Sequence, residues 1–166
     1  NTIFENTGDG IEANNTSHTK IIRDNIIVNN QGYGIRNNAM LHTFEYNDIY
    51  SNGAGEVSST ANLPVNGWDF VSFNAIGDTA DIYLNISEDP LFVLGDSLGL
   101  YLSDNSPCIN TGDPNLSDPD NTDSDIGYVY HNTGVPPSVF VTGFGDQSVS
   151  IGWQEVEVDS IVGYKV

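Results

Sequence analysis

Within the first 57 residues an apolar stretch framed by asparagines occurs three times: Asn1-Thr-Ile-Phe-Glu-Asn6, Asn25-Ile-Ile-Val-Asn-Asn30 and Asn47-Asp-Ile-Tyr-Ser-Asn52. The spacings are 24 and 22 residues. A second element keeps step with the first, as Gly10-Ile11-Glu12, Gly34-Ile35-Arg36 and, more loosely, Gly55-Glu56-Val57. A unit of this length is a single supersecondary turn, too small to bury its own apolar face. Such units stack, each covering the one before.

Helical periodicity is nearly absent. Apolar residues come in short β-branched or aromatic clusters bounded by Asn, Gly, Asp and Ser, which marks strands separated by turns. In each repeat a strand such as Ile26-Ile-Val28 is followed by a turn and a second strand such as Tyr33-Gly-Ile-Arg36. Residues 14–24 and 38–46 supply a third side, with alternation in Thr19-Lys-Ile-Ile-Arg23 and Leu41-His-Thr-Phe-Glu-Tyr46. Three short strands per repeat predict an all-β fold, a coil of a parallel β-helix. Ile3, Ile27 and Ile49 are then expected on a common axis, with Ile26 and Val28 facing a shared dry interior. Asparagine suits such corners because it tolerates the left-handed backbone region. Its side chain can also bond to its equivalent one coil away. Asn1, Asn25 and Asn47 form one expected ladder, and Asn6, Asn30 and Asn52 a second. His18 and His42, also 24 apart, are expected to stack as a surface pair.

Charge narrows the functional classes. The chain carries 23 acidic residues against four basic ones (Lys20, Arg23, Arg36 and Lys165), for a net charge of −19. Displacing counterions from nucleic acid requires a cationic face, which four scattered cations cannot make. Apolar runs are too short to cross a bilayer, so no membrane insertion is expected. The lone cysteine, Cys108, is expected to be a buried thiol. No signal peptide is present, but the chain opens inside a repeat, so a piece of a longer modular protein is expected.

Residues 53–88 break the repeat, and Trp68 is expected to pack where the stack changes shape. Beyond them lie Asp89-Pro-Leu-Phe92, Ser106-Pro-Cys-Ile-Asn-Thr-Gly-Asp-Pro114 and Asp118-Pro-Asp-Asn-Thr-Asp-Ser-Asp-Ile-Gly-Tyr128. Their order resembles the closing coils of secreted right-handed parallel β-helix proteins of the pectate-lyase-like class, and the resemblance covers residues 1–130. Residues 132–135 read as a linker. Pro136–Val141, Ser148–Trp153 and Val162–Val166 resemble the first three strands of a fibronectin type III β-sandwich. Trp153 and Tyr164 would be its core aromatics, and residues 136–166 an incomplete domain. The resemblance implies a secreted or cell-surface protein acting on, or binding, extracellular polysaccharide or glycan.

The densest set of candidate ligands is Asp113, Asp118, Asp120, Asp123 and Asp125. Carboxylates at alternate loop positions can converge on a hard cation, here calcium. The alternative is a solvated turn whose Asp side chains cap their own backbone. No catalytic residue can be assigned. Lyases of this class use a Lys or Arg base, and Lys20, Arg23 and Arg36 are the candidates in the repeats. Glycoside hydrolysis needs two carboxylates at a defined separation, and nothing singles out a pair among Asp24, Glu45 and Asp48. Glycan binding or adhesion is therefore the expected function. A lyase or hydrolase with its groove upstream, or a structural stalk, stands as the alternative. The carbohydrate-contacting residues are not identifiable from sequence.

Overall fold

The computed structural model describes residues 1–14, 18–38, 42–59, 72–93, 100–131, 139–145 and 148–153. Trp68, residues 132–135, the strand expected over 162–166 and the side chains of β13 and β14 lie outside them. The chain divides into two compact units, Asn1–His131 and Asn132–Val166. Among the described residues the structure is all-β, without helix.

Eight strands build the first part of the larger unit: β1 (Thr2–Phe4), β2 (Ile11–Ala13), β3 (Ile21–Arg23), β4 (Ile26–Val28), β5 (Tyr33–Asn37), β6 (Thr43–Glu45), β7 (Asp48–Tyr50) and β8 (Gly55–Ser59). They pair in parallel as three short sheets, β1-β4-β7, β2-β5-β8 and β3-β6. Parallel strands need a connection that returns the chain to its starting side. Here each return runs through the other two sheets, so residues 22 to 24 apart become neighbours.

Ile3, Ile27 and Ile49 fall in one register column, as expected. Ile11, Ile35 and Val57 form a second, and Ile22 pairs with Phe44. These three columns pack together with Ala13 as one apolar cluster. The strand period of two sends their neighbours to the opposite face. Ile26 and Val28 therefore do not join Ile27; they lie in a second cluster with Ala80, Ile86, Leu102, Cys108 and Ile126. All three residues of β4 are buried, which is why this strand reads as an unbroken Ile-Ile-Val run rather than an alternation.

The later chain supplies that second layer through two short antiparallel hairpins, β9 (Ser72–Phe73) with β10 (Thr79–Ala80) and β11 (Phe92–Val93) with β12 (Tyr101–Leu102). The three closing motifs interlock. Ser106 Oγ donates to Pro90 O at 2.7 Å, Asn110 N–H to Asp125 Oδ1 at 2.8 Å and Ile126 N–H to Cys108 O at 2.9 Å. In the smaller unit, β13 (Val139–Gly145) pairs antiparallel with β14 (Ser148–Trp153), with a register irregularity between Val141 and Gly143.

Besides the separate burial of Ile26 and Val28, two more expectations need correction. The left-handed corners are not at the ladder asparagines but one residue before them: Glu5, Asn29 and Ser51 precede Asn6, Asn30 and Asn52, and Asp24, Tyr46 and Leu84 precede Asn25, Asn47 and Asn85. The corner residue bears the strain and the next side chain, its Asn, bonds along the stack. The third glycine element is also out of step. Ile35 pairs with Val57 and Tyr33 with Gly55, so Glu56 stands opposite Gly34. A Cβ at Gly34 would meet Glu56 O and Asn52 Nδ2, each at 2.7 Å. Gly34→Ala is therefore expected to destabilise by about 1–3 kcal/mol through overpacking, measured by urea unfolding. A variant as stable as the parent would show that the coils can part at no cost.

Candidate functional site

Two asparagine ladders order the corners of the parallel stack. In the first, Asn1 Nδ2 donates to Asn25 Oδ1 at 3.0 Å, Asn25 to Asn47 at 2.8 Å and Asn47 to Asn85 at 2.9 Å. In the second, Asn6 donates to Asn30 at 2.8 Å and Asn30 to Asn52 at 2.9 Å. Every step donates in the same direction, so the last amide needs an acceptor with no donor of its own. A carboxylate supplies it in both: Asp81 accepts from Asn85 Nδ2, and Glu56 accepts from Asn52 Nδ2 at 2.7 Å. Sequence reading missed Asn85, because the interval from Asn47 is 38 residues rather than a repeat. The available signal was its context, Asn85-Ile86, with the apolar residue directly after the amide.

Where the closing segment meets β3 and β6, a polar seam gathers residues distant in sequence. Arg23 pairs with Asp113 and stands 3.8 Å from Glu45. Asp24 Oδ1 accepts Asp113 N–H at 2.8 Å. Asp113 Oδ1 accepts both the N–H and the side-chain amide of Asn115. The Asn115 bonds and the Arg23 guanidinium hold the Asp113 carboxyl below the usual carboxylate range. Burial pushes Asp24 above it, and burial together with the charge of Asp113 pushes the Tyr46 phenol up. Arg23 thus fastens the closing segment to β3. Arg36 makes a comparable tie to Asp9, its guanidinium 5.0 Å from the Tyr33 ring centroid, whereas Lys20 is exposed.

The five aspartates proposed as calcium ligands mainly serve the backbone. Asp118 Oδ2 accepts Asp125 N–H at 2.9 Å, Asp120 Oδ1 accepts Thr122 N–H and Oγ–H, and Asp125 accepts the N–H groups of Asn110 and His131. Asp123 is exposed and bridges Ser117 through its backbone. Burial and the nearby charges of Asp125 and Asp120 push Asp118 up to about 6. Among the described residues no group of three or more His, Cys, Asp or Glu is arranged to hold a metal ion.

The histidines do not stack. Register between β3 and β6 is 22 residues, which sets His42 beside Lys20; His18 is exposed and His42 buried. Asp48, a mere hydrolase candidate in sequence, is wholly buried. Cys108 is likewise buried, as expected, and its thiol donates to Asp48 Oδ2 at 3.2 Å.

No family model, curated protein or solved structure matches the chain.

These environments fix a sign for stability against pH. Asp24, Asp48, Asp81, Asp118 and Asp125 bind protons more tightly folded than unfolded. Their contribution is fully present below the unfolded carboxyl value of about 4 and is lost as pH rises through the folded values, the highest about 7. Asp9 and Asp113 act oppositely, losing their contribution only as pH falls below about 4. The melting temperature is expected to be higher at pH 5 than at pH 8, followed by circular dichroism. A flat or rising profile would contradict these assignments.

Proposed function

We propose that residues 1–131 are closing coils of a right-handed parallel β-helix of the pectate-lyase-like class, that 136–166 begin a fibronectin type III module, and that the protein is a secreted or cell-surface binder of extracellular glycan. Support for the coil reading is the three-sided parallel register, in which like residues recur in columns. The observation that carries the binding reading is the set of aromatic rings left in water on the hairpins and closing segment that cover the stack. Tyr128 is 69% exposed, Phe73 66% and Tyr101 44%. Flat rings on a rigid support suit the apolar faces of sugars, and a phenol adds a hydrogen bond at the rim. With 23 acidic and four basic residues, the surface favours neutral or cationic glycans over polyuronates.

Titration of the protein with neutral and uronic-acid oligosaccharides by calorimetry tests this. Binding of a neutral glycan that weakens at least about tenfold (roughly 1.4 kcal/mol) in Tyr128→Ala or Tyr101→Ala is expected. Absence of binding across both classes would sink the reading. Release of unsaturated products from polyuronates, followed spectrophotometrically, would favour a lyase instead.

Calcium enters the proposal as a stabiliser of the 118–125 loop. Burial first, then the charges of Asp125 and Asp120, raise the proton affinity of Asp118, and burial with the charge of Asp120 raises that of Asp125; a divalent cation relieves such crowding. Binding requires Asp118 to turn from the Asp125 N–H. Calcium is expected to raise the melting temperature and EDTA to lower it; no shift with either would remove calcium from the proposal.

A further inference from the structure

Asp48 occupies an apolar place. Its register column reads Thr2, Ile26, Asp48, Ile86, so the carboxyl is sandwiched between two fully buried isoleucines on the outer face of the β1-β4-β7 sheet. Its side chain is sealed there by the closing segment. Oδ1 accepts Glu88 N–H at 3.2 Å and Oδ2 accepts the Cys108 thiol at 3.2 Å. Among the described residues no ion pair reaches it. The charged groups that act on it from the neighbouring elements are both acidic, Glu88 beyond Ile86 and Glu56 on β8; the Cys108 thiol faces it from the closing segment. One backbone N–H and one weak thiol donor do not compensate a buried carboxylate, whereas they suffice for a neutral carboxyl.

We propose that Asp48 is a proton-operated latch: in its neutral form it holds the Glu88 and Cys108 segments against β7, and its ionisation loosens that packing. When neutral, the carboxyl fits a column of isoleucines and keeps both contacts. When ionised, it is repelled by Glu88 and Glu56 and gains most by reaching water, which requires the covering segment to lift. Burial sets the transition at about pH 7, close to neutrality. The structural consequence is that the outer layer holding Leu102, Cys108 and Ile126 releases before the inner columns of Ile27, Ile35 and Ile49, which contain no titratable group.

Cys108 is the single cysteine of the chain, so its modification reports opening of this layer alone. The rate of its reaction with 4,4′-dithiodipyridine is measured in the parent and in Asp48→Asn between pH 5.5 and 8.5. Taking the ratio of the two cancels the intrinsic pH dependence of the thiol. With a folded value of about 7 and an open value of about 4, the ratio should rise on the order of thirtyfold across that range. A ratio that does not change with pH overturns the latch. A second measurement needs no variant: the Glu88 amide proton, which bonds to the carboxyl, is followed by NMR through the same titration. A midpoint near 7 supports the proposal; a midpoint near 4, or none attributable to Asp48, overturns it.

Discussion

Asn47→Ala is expected to lower the free energy of unfolding by about 3–5 kcal/mol, while Asn6→Ala costs under about 1 kcal/mol. Asn47 lies in mid-stack in one ladder and Asn6 at the exposed end of the other, so the difference tests what burial in the ladder does. Asn47 is fully buried, and its side chain completes five hydrogen bonds. Its Nδ2 donates to Asn85 Oδ1, Ile22 O and Glu45 O at 2.9 to 3.0 Å, and its Oδ1 accepts from the backbone and side-chain N–H groups of Asn25. Truncation removes all of these bonds inside a dry stack; Asn85 Oδ1 keeps the Asn47 N–H and Asn25 Nδ2 keeps Arg23 O, but each buried group left unsatisfied costs about 1–3 kcal/mol. Water cannot replace the amide without opening the stack between the second and third coils. Asn6 is exposed and its partner Asn30 keeps its bond from Asn30 to Asn52, so water takes over the missing contacts. Asn47→Asp is a sharper probe. It retains the acceptor for Asn25 but sets an oxygen against three acceptors, so it should be no milder than alanine at pH 8. Equal costs for Asn47→Ala and Asn6→Ala in urea unfolding would mean that the ladder follows the coil geometry without stabilising it.

The second large effect concerns the inner column. Ile27 is fully buried between Ile3 and Ile49 and packs with Ile35 and Phe44 from the other two sheets. Ile27→Ala is expected to cost about 2–5 kcal/mol and Ile27→Val about 0.5–1.5 kcal/mol. The cavity cannot collapse easily, because the register of three sheets fixes the walls. At Ile21, on the edge of β3 and 59% exposed, the same truncation should stay within about 0.5 kcal/mol. Losses of similar size at Ile27 and Ile21 would show that the interior is not the stabilising feature.

Both effects come from residues that the repeat made visible, and the reason is periodic. A stack with near-constant rise brings residue i beside the residue one repeat on, so a column in space is a recurrence in sequence. That is why Asn1, Asn25 and Asn47, and Ile3, Ile27 and Ile49, could be aligned without coordinates, and why the all-β character followed from short strands between Asn and Gly corners. The phase was legible only while the repeat held. A one-residue slip at Gly55 placed Glu56 opposite Gly34, and the long interval after Asn52 hid Asn85 and Ile86.

The sites were less legible than the fold. Carboxylate spacing in residues 113–125 suggests ligands, but spacing does not say whether an oxygen faces a cation or the next backbone N–H. Arg23, in sequence one of four scattered cations and a candidate lyase base, is a tie because Asp113, 90 residues away, comes to it.

Local chemistry therefore determined strands, corners, ladders and the inner columns, since each depends on neighbours one repeat apart. The tertiary structure alone decided which face of β4 and β7 would be covered, because that cover comes from Ala80, Ile86, Leu102, Cys108 and Ile126, which follow no regular spacing. It is this second layer that buries Asp48 against Cys108, turning what the sequence offers as a hydrolase candidate into a carboxyl whose charge the fold resists.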